Sequence, residues 1–355
     1  MSIYFIAEAG VNHNGHKDMA RQLIDVAAEA GADAIKFQTF NAEALASVDA
    51  PKATYQMDTT DAAESQLEML KRLELPHDWH FELRDYCAEK GIDFLSTPFD
   101  SESLRFLVDD LKLETIKVPS GEVTNGPFLL EIAKTGCRVI LSTGMCKLDE
   151  VRSALGVLAF GMTNRTDQPS LGAFEDAFNS DAGQAALLEN VTVLHCTSAY
   201  PTPLDDANVS AMKPLRDAFG LKVGFSDHTE GMMASLTAAA LGADVIEKHY
   251  TLDRELPGPD HKASLEPGEL ALLIRGVRDT QISLGDGVKI PRPSELETIP
   301  VARKSLVART SIRKGDEIIA DNITAKRPGT GQSPMMFWAI SEAPATRDYD
   351  EGEQI

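Results

Sequence analysis

The chain has 355 residues, 43% apolar and 25% charged, proportions of an ordinary globular protein, and is long enough for a barrel of about 250 residues plus a small second domain. A formal net charge of −21 opposes sequence-independent binding to nucleic acid or anionic lipid, so an anionic ligand needs a local basic pocket. No apolar run approaches the roughly 20 residues of a membrane span and the opening "MSIYFIAEAG" lacks a signal-peptide pattern, so a cytoplasmic protein with no membrane or nucleic-acid partner is expected.

Short β-rich runs recur along the chain at 3–10, 33–40, 93–99, 114–122, 139–144, 191–200, 222–229 and 244–252. Stretches with helical spacing lie between or after them, including 17–32, 78–91, 148–161, 231–243 and 266–284, several closing on the glycine that helix C-termini favour. Parallel strands need crossover helices, and eight such units close a sheet, so the spacing predicts a (β/α)₈ TIM barrel over 1–285. An open doubly wound sheet is the alternative. Segments 41–76 and 164–190 interrupt the repeat without an interpretable motif. Pro291, Pro293 and Pro300 mark 286–300 as a linker, leaving 301–355 as a small domain.

Barrel enzymes gather their chemistry where strands end, and here nearly every strand ends in polar residues. In order these are Glu8; Lys36 and Gln38; Ser96 and Thr97; Lys117, Ser120 and Glu122; Ser142 and Thr143; Thr197, Ser198 and Tyr200; Ser226, Asp227 and His228; and Glu247 and His249. Strand alternation puts Glu247 and His249 on one face and Lys248 on the other.

His228 and His249, on adjacent strand ends, can reach one divalent ion, or they can be hydrogen-bonded core histidines. Lys36 and Lys117 are costly in a lumen unless paired or holding an anion. With Thr97, Ser120, Ser142 and Ser226 they resemble a phosphate or carboxylate site, although any one of these groups alone is more readily structural. His13 in "VNHNG" reads as part of an ordinary turn. Cys87, Cys137, Cys146 and Cys196 lack metal-site spacing and read as buried free thiols without functional signal.

The ordered set "IAEAGVNHNG", "IKFQTF", "STPFD", "IKVPSGE", "LSTGM", "LHCTSAYPTP", "GFSDHT", "EKHYTLDRELPGPDHKASLEP" and "AKRPGTG" resembles the sialic acid synthase family over almost the whole chain. The resemblance implies a TIM barrel followed by an antifreeze-like (SAF) domain, working as a domain-swapped homodimer. It implies condensation of phosphoenolpyruvate with a 2-acetamido sugar, giving a nine-carbon 2-keto acid and phosphate.

By that resemblance His228 and His249 hold a divalent metal, usually manganese, with magnesium or cobalt as alternatives, and Glu8 lies near the attacking water. Lys36, Thr97, Lys117, Ser120, Ser142 and Ser226 match phosphoenolpyruvate-binding positions. Gln38, Tyr200 and Asp260 match the sugar side, and Arg327 matches an arginine supplied by the other subunit's small domain.

Ser198 departs from the asparagine of some members, which leaves its contact with phosphoenolpyruvate open. N-acetylmannosamine, giving N-acetylneuraminate, is the expected sugar. Alternatives are its 6-phosphate and a 6-deoxy diacetamido sugar leading to legionaminic or pseudaminic acid. A barrel synthase condensing phosphoenolpyruvate with a sugar phosphate, and a non-catalytic ice- or carbohydrate-binding protein, are weaker readings.

Overall fold

The computed structural model describes residues 2–47, 50–52, 57, 60, 64–163 and 166–355. They form two compact units, Met1–Gly285 and Asp286–Ile355.

The first unit contains strands β1 (Tyr4–Gly10), β2 (Ala34–Thr39), β3 (Asp93–Pro98), β4 (Thr115–Val118), β5 (Arg138–Ser142), β6 (Val191–Cys196), β7 (Lys222–Asp227) and β8 (Val245–His249). All pairings are parallel and the order is β3-β2-β1-β8-β7-β6-β5-β4. The end strands β3 and β4 lie side by side. The sheet is therefore a nearly closed barrel with alternating helices, as the sequence spacing predicted, and not an open doubly wound sheet.

The two-residue period of a strand sorts side chains between lumen and helices. Ile6, Ala34, Leu95, Ile140, Leu194 and Val245 form one apolar plug. Phe5, Ala7, Ile35, Phe37, Ile116, Val118, Val193, Phe225 and Ile246 face outward into the larger core shared with the helices. Two residues beyond the plug, the inward positions become Glu8, Lys36, Thr97, Ser142, Cys196 and Glu247. The polar site thus stands on an apolar floor.

Several element ends differ from the sequence reading. The fourth strand stops at Val118 rather than 122, because Pro119 has no N–H to donate and Ser120–Glu122 turns into a 3₁₀ helix. The sixth stops at Cys196 rather than 200, with the Thr197 carbonyl at hydrogen-bond distance (2.8 Å) from His228 Nδ1. Segment 164–190 carries helices Leu171–Asn179 and Asp181–Asn190, capped by the Ser170 and Ser180 hydroxyls. Segment 41–76 carries Ala42–Leu45 and Gln66–Leu73, the latter opened by a Ser65–Glu68 capping box; residues 48–49, 53–56, 58–59 and 61–63 lie outside the described set.

The second unit pairs β9 (Ser305–Ala308) antiparallel with β10 (Ile323–Lys326) around a small core that includes Leu306, Ile312, Ile318, Ile323 and Tyr349. Residues 286–300, read as a linker, group with this unit and include a 3₁₀ turn at Pro293–Glu295. No described helix is long and apolar enough to cross a membrane.

Outside the barrel, His80 joins helix His77–Lys90 to the sheet. Its Nδ1 is 3.0 Å from the Pro76 carbonyl and its Nε2 2.7 Å from the Thr39 hydroxyl. Nδ1–H therefore donates to the carbonyl, and Nε2 accepts from the threonine. Burial pushes the imidazole down to about 4, against the pull of Pro76. The folded state resists a proton that the unfolded chain takes up below about 6.5, so this contribution is complete above that pH and is lost as pH falls toward 4. We expect His80 to account for about 3 kcal/mol of the stability lost between pH 7 and pH 4. Denaturant unfolding of His80→Gln at the two pH values should show a correspondingly flatter acid limb.

Candidate active site

At the C-terminal mouth of the barrel a cavity of about 400 Å³ opens over the polar layer. Lys36 lies at its base with Nζ 2.7 Å from Glu8 Oε2 and 3.6 Å from Glu247 Oε2. It donates to Thr97 Oγ1 at 3.1 Å. Lys117 Nζ approaches Glu247 Oε1 to 3.3 Å, and the Ser226 hydroxyl donates to the same oxygen at 2.8 Å. All six residues are at most 3% exposed.

These pairs split the behaviour of the two carboxylates. Burial raises Glu8 above the usual carboxylate range, only partly offset by Lys36. Burial also opposes ionisation of Glu247, but Lys117, Lys36 and the Ser226 hydrogen bond outweigh it and hold the group well below that range. Glu247 is thus a fixed anion, and Glu8 is the carboxylate able to hold or release a proton. Burial lowers Lys117, with Glu247 opposing; Lys36, flanked by both carboxylates, is raised despite its burial.

Tight backbone approaches complete the floor. Gly10, at φ +53°, leaves a point where a Cβ would stand 3.3 Å from Glu8 Oε1, 3.4 Å from Gln38 Nε2 and 3.5 Å from His249 Cε1. A side chain there would enter the site. A Cβ on Gly144 would lie 2.3 Å from Ser198 Oγ and 2.9 Å from Ser120 Oγ, and the Gly144 N–H donates to Ser120 Oγ at 2.9 Å.

His228 and His249 have ring centroids 5.4 Å apart, with Tyr200 4.2 Å from the first and 5.8 Å from the second. With Nδ1–H of His228 donated to Thr197, its Nε2 keeps a lone pair. His249 Nδ1 is buried without a hydrogen-bond partner among the described residues. Among the described residues no group of three or more His, Cys, Asp or Glu side chains is arranged around one point. An orphaned imidazole nitrogen beside a second, oriented imidazole fits an open metal site completed by substrate or water, not a closed structural one.

The same alternation removes several strand-end residues from the site. Ser96 bonds Thr39 at 2.6 Å, and Thr143 Oγ1 donates to the Leu194 carbonyl. Asp227 and Lys248 pair at 3.2 Å on the helix-facing side, both fully buried, with Ser235 and Thr229 also bonded to Asp227. Glu122 accepts from Asn125. His13 turns back to accept from the Gly15 N–H at 3.1 Å.

The sequence-derived set converges: Glu8, Lys36, Gln38, Thr97, Lys117, Ser120, Ser142, Ser198, Tyr200, Ser226, His228, His249 and Asp260 all line the cavity. Burial raises the Asp260 carboxyl to about 6, with His228 opposing. Arg327 belongs to the second unit, where its Nε donates to the Ala302 carbonyl at 3.0 Å.

Two contributions escaped the sequence reading. Cys196 is in the cavity, its Sγ 3.6 Å from His228 Nδ1; its place two residues after the luminal Leu194 was the available signal. Phe40, Leu45, Met69, Leu70, Leu73 and Phe99 form one apolar wall, much of it from segment 41–76. The four-residue spacing of Met69 and Leu73 on a capped helix was the only clue. The cavity at the opposite mouth is lined by strand starts such as Tyr4, Asp93, Arg138 and Lys222, the end of a barrel that serves stability.

Residues 23–289 match the NeuB family model. The chain is 47% identical to the N,N'-diacetyllegionaminic acid synthase of Campylobacter jejuni subsp. jejuni serotype O:2, over 99% of this chain and 98% of that protein. It is 42% identical to the protein of the same name from Legionella pneumophila, over 94% and 88% respectively. The crystal structure of N-acetylneuraminic acid (sialic acid) synthetase from Leptospira borgpetersenii, solved with citrate, is similar at 32% identity and a TM-score of 0.68, covering 84% of this chain and 90% of that one. The chain belongs to the NeuB family, and it is an enzyme, a synthase of the type that the sequence resemblance implied.

Proposed function

We propose that the protein condenses phosphoenolpyruvate with an unphosphorylated 6-deoxy diacetamido sugar and water, giving N,N'-diacetyllegionaminic acid and phosphate. The observation that carries this reading is the division of one cavity into a floor with two buried lysines and hydroxyls, and an apolar wall. The floor suits a small multiply charged anion. The wall suits the methyl groups of a deoxygenated, N-acetylated sugar better than a hydroxymethyl or a phosphate.

Among the described residues lining the cavity, Lys36 and Lys117 are the only lysine or arginine side chains, which disfavours a 6-phosphate. The sequence alone favoured N-acetylmannosamine. The Campylobacter and Legionella relatives together with the apolar wall favour the diacetamido alternative.

In this account Lys36 and Lys117 hold the anion, with hydroxyl donors from Thr97, Ser120, Ser142 and Ser226. Gln38, Tyr200 and Asp260 orient the sugar. The methylene carbon of phosphoenolpyruvate attacks the aldehyde carbon of the open-chain sugar, water adds at the phosphate-bearing carbon, and phosphate leaves with C–O cleavage. Glu8 holds or moves the proton of that water. His228 and His249 would hold a divalent ion, manganese first among candidates, which when bound supplies Lewis-acid polarisation of the aldehyde oxygen.

Phosphoenolpyruvate labelled with ¹⁸O at the bridging oxygen should deliver the label to phosphate. Label retained in the organic product would contradict the proposed chemistry.

The second unit fits this scheme as an antifreeze-like domain of a domain-swapped homodimer, in which Arg327 of one subunit closes the sugar side of the other's pocket. Arg327→Ala should then raise KM for the sugar while the KM for phosphoenolpyruvate is unchanged. Steady-state kinetics with each substrate varied would check this, and an unchanged sugar KM would remove the role.

A further inference from the structure

The loop following β8 leaves at Tyr250 and returns at Leu265, where the two residues pair in parallel. Thr251 N–H donates to the Leu265 carbonyl at 2.9 Å, and Leu265 N–H to the His249 carbonyl at 3.0 Å. The feet of the loop are therefore held by backbone. Asp260, on the cavity wall, sits within the loop, and its position depends on side chains.

Asn12, in the turn after β1, comes to lie against both feet. Its amide donates to the Tyr250 carbonyl at 2.8 Å and to the Ser264 hydroxyl at 3.0 Å. The Ser264 hydroxyl donates onward to the Asp260 carbonyl at 2.6 Å. Asn12 and Ser264 are each 1% exposed. The direction of this relay is fixed by chemistry: an amide nitrogen only donates and a carbonyl only accepts, so the serine proton has one destination. The relay ties the end of the strand carrying His249 to the loop carrying Asp260.

We propose that Asn12 and Ser264 are positioning residues that set Asp260 against His249, and that the sugar rather than phosphoenolpyruvate feels their loss. The floor groups Lys36, Thr97, Lys117, Ser120, Ser142 and Ser226 lie on or just after other strands and do not hang on this loop. The inference rests on the assignment of Asp260 to the sugar side in the proposed function.

The test uses the full-length, manganese-loaded enzyme, with kcat and both KM values read from phosphate release on the best sugar of a 2-acetamido panel. Ser264→Ala removes the relay at its centre. Asn12→Asp exchanges a double donor for an acceptor that would draw the serine proton away from Asp260, and it carries the same readout should the alanine variant fail to fold. Either substitution should raise the sugar KM about tenfold, the worth of one buried hydrogen bond, and leave the phosphoenolpyruvate KM within about twofold. Because the relay acts through Asp260, Ser264→Ala should add almost nothing to Asp260→Asn in the double variant.

A parallel rise in both KM values, full additivity with Asp260→Asn, or no change in the sugar KM would each overturn the relay. Asp260→Asn with an unchanged sugar KM would overturn the assignment of Asp260 and the relay with it. Asp260→Asn impaired while Ser264→Ala and Asn12→Asp behave as wild type would overturn the relay alone.

Discussion

Replacing Lys36 with methionine is expected to abolish turnover and to lower folding stability by about 3–5 kcal/mol, the usual consequence of breaking a buried ion pair from one side. Lys36 is the ammonium placed between Glu8 at 2.7 Å and Glu247 at 3.6 Å. Glu247 would keep Lys117 and Ser226, whereas Glu8 would lose the one cation bonded to it among the described residues. Adding Glu8→Gln removes the stranded charge, so Lys36→Met/Glu8→Gln should recover most of the stability and none of the activity. Denaturant unfolding alongside a phosphate-release assay separates the two effects. If the double variant is no more stable than Lys36→Met, the stability loss does not come from the unpaired carboxylate.

His249→Ala should show the opposite pattern, with activity down at least about 100-fold and stability changed by no more than about 1 kcal/mol. Among the described residues its Nδ1 has no hydrogen-bond partner and its ring borders the cavity, so removal breaks no side-chain hydrogen bond to them and leaves space that water can enter. Its neighbour behaves differently: His228→Ala would remove the bond that His228 Nδ1 makes to the Thr197 carbonyl at 2.8 Å, leaving that carbonyl the longer one from Thr202 Oγ1 at 3.2 Å, and should cost about 1 kcal/mol as well. Calorimetric manganese titration should give weakened binding for both variants. An equal loss of stability and activity in His249→Ala, with manganese binding intact, would favour a core histidine over a ligand.

Much of this was legible because a barrel strand exposes alternate residues to two solvents. In "EKH" the middle residue faces helices and the outer two face the lumen, and the structure puts Lys248 against Asp227 while Glu247 meets Lys117 and Ser226. The same period separates Thr97 from Ser96 and Ser142 from Thr143. The rest depended on contacts remote in sequence. Asn12 reads as one polar residue of a turn, and its meaning appears only where the loop ending at Leu265 returns beside it. Met69 and Leu73 fall in segment 41–76, which reads without an interpretable motif, because nothing in their spacing says that an apolar face there borders a cavity. Strand ends at Pro119 and Thr197 shifted because proline chemistry and a histidine hydrogen bond overrode β-propensity.

The most direct measurement of the central claim is a competition assay with manganese, phosphoenolpyruvate and equimolar N-acetylmannosamine, its 6-phosphate and the 6-deoxy diacetamido sugar, with phosphate and product masses followed together. The account predicts one phosphate released per 2-keto acid formed and a product pool dominated by the 6-deoxy diacetamido acid. A product pool dominated by either mannosamine substrate, or no phosphate release with any of the three, would contradict it.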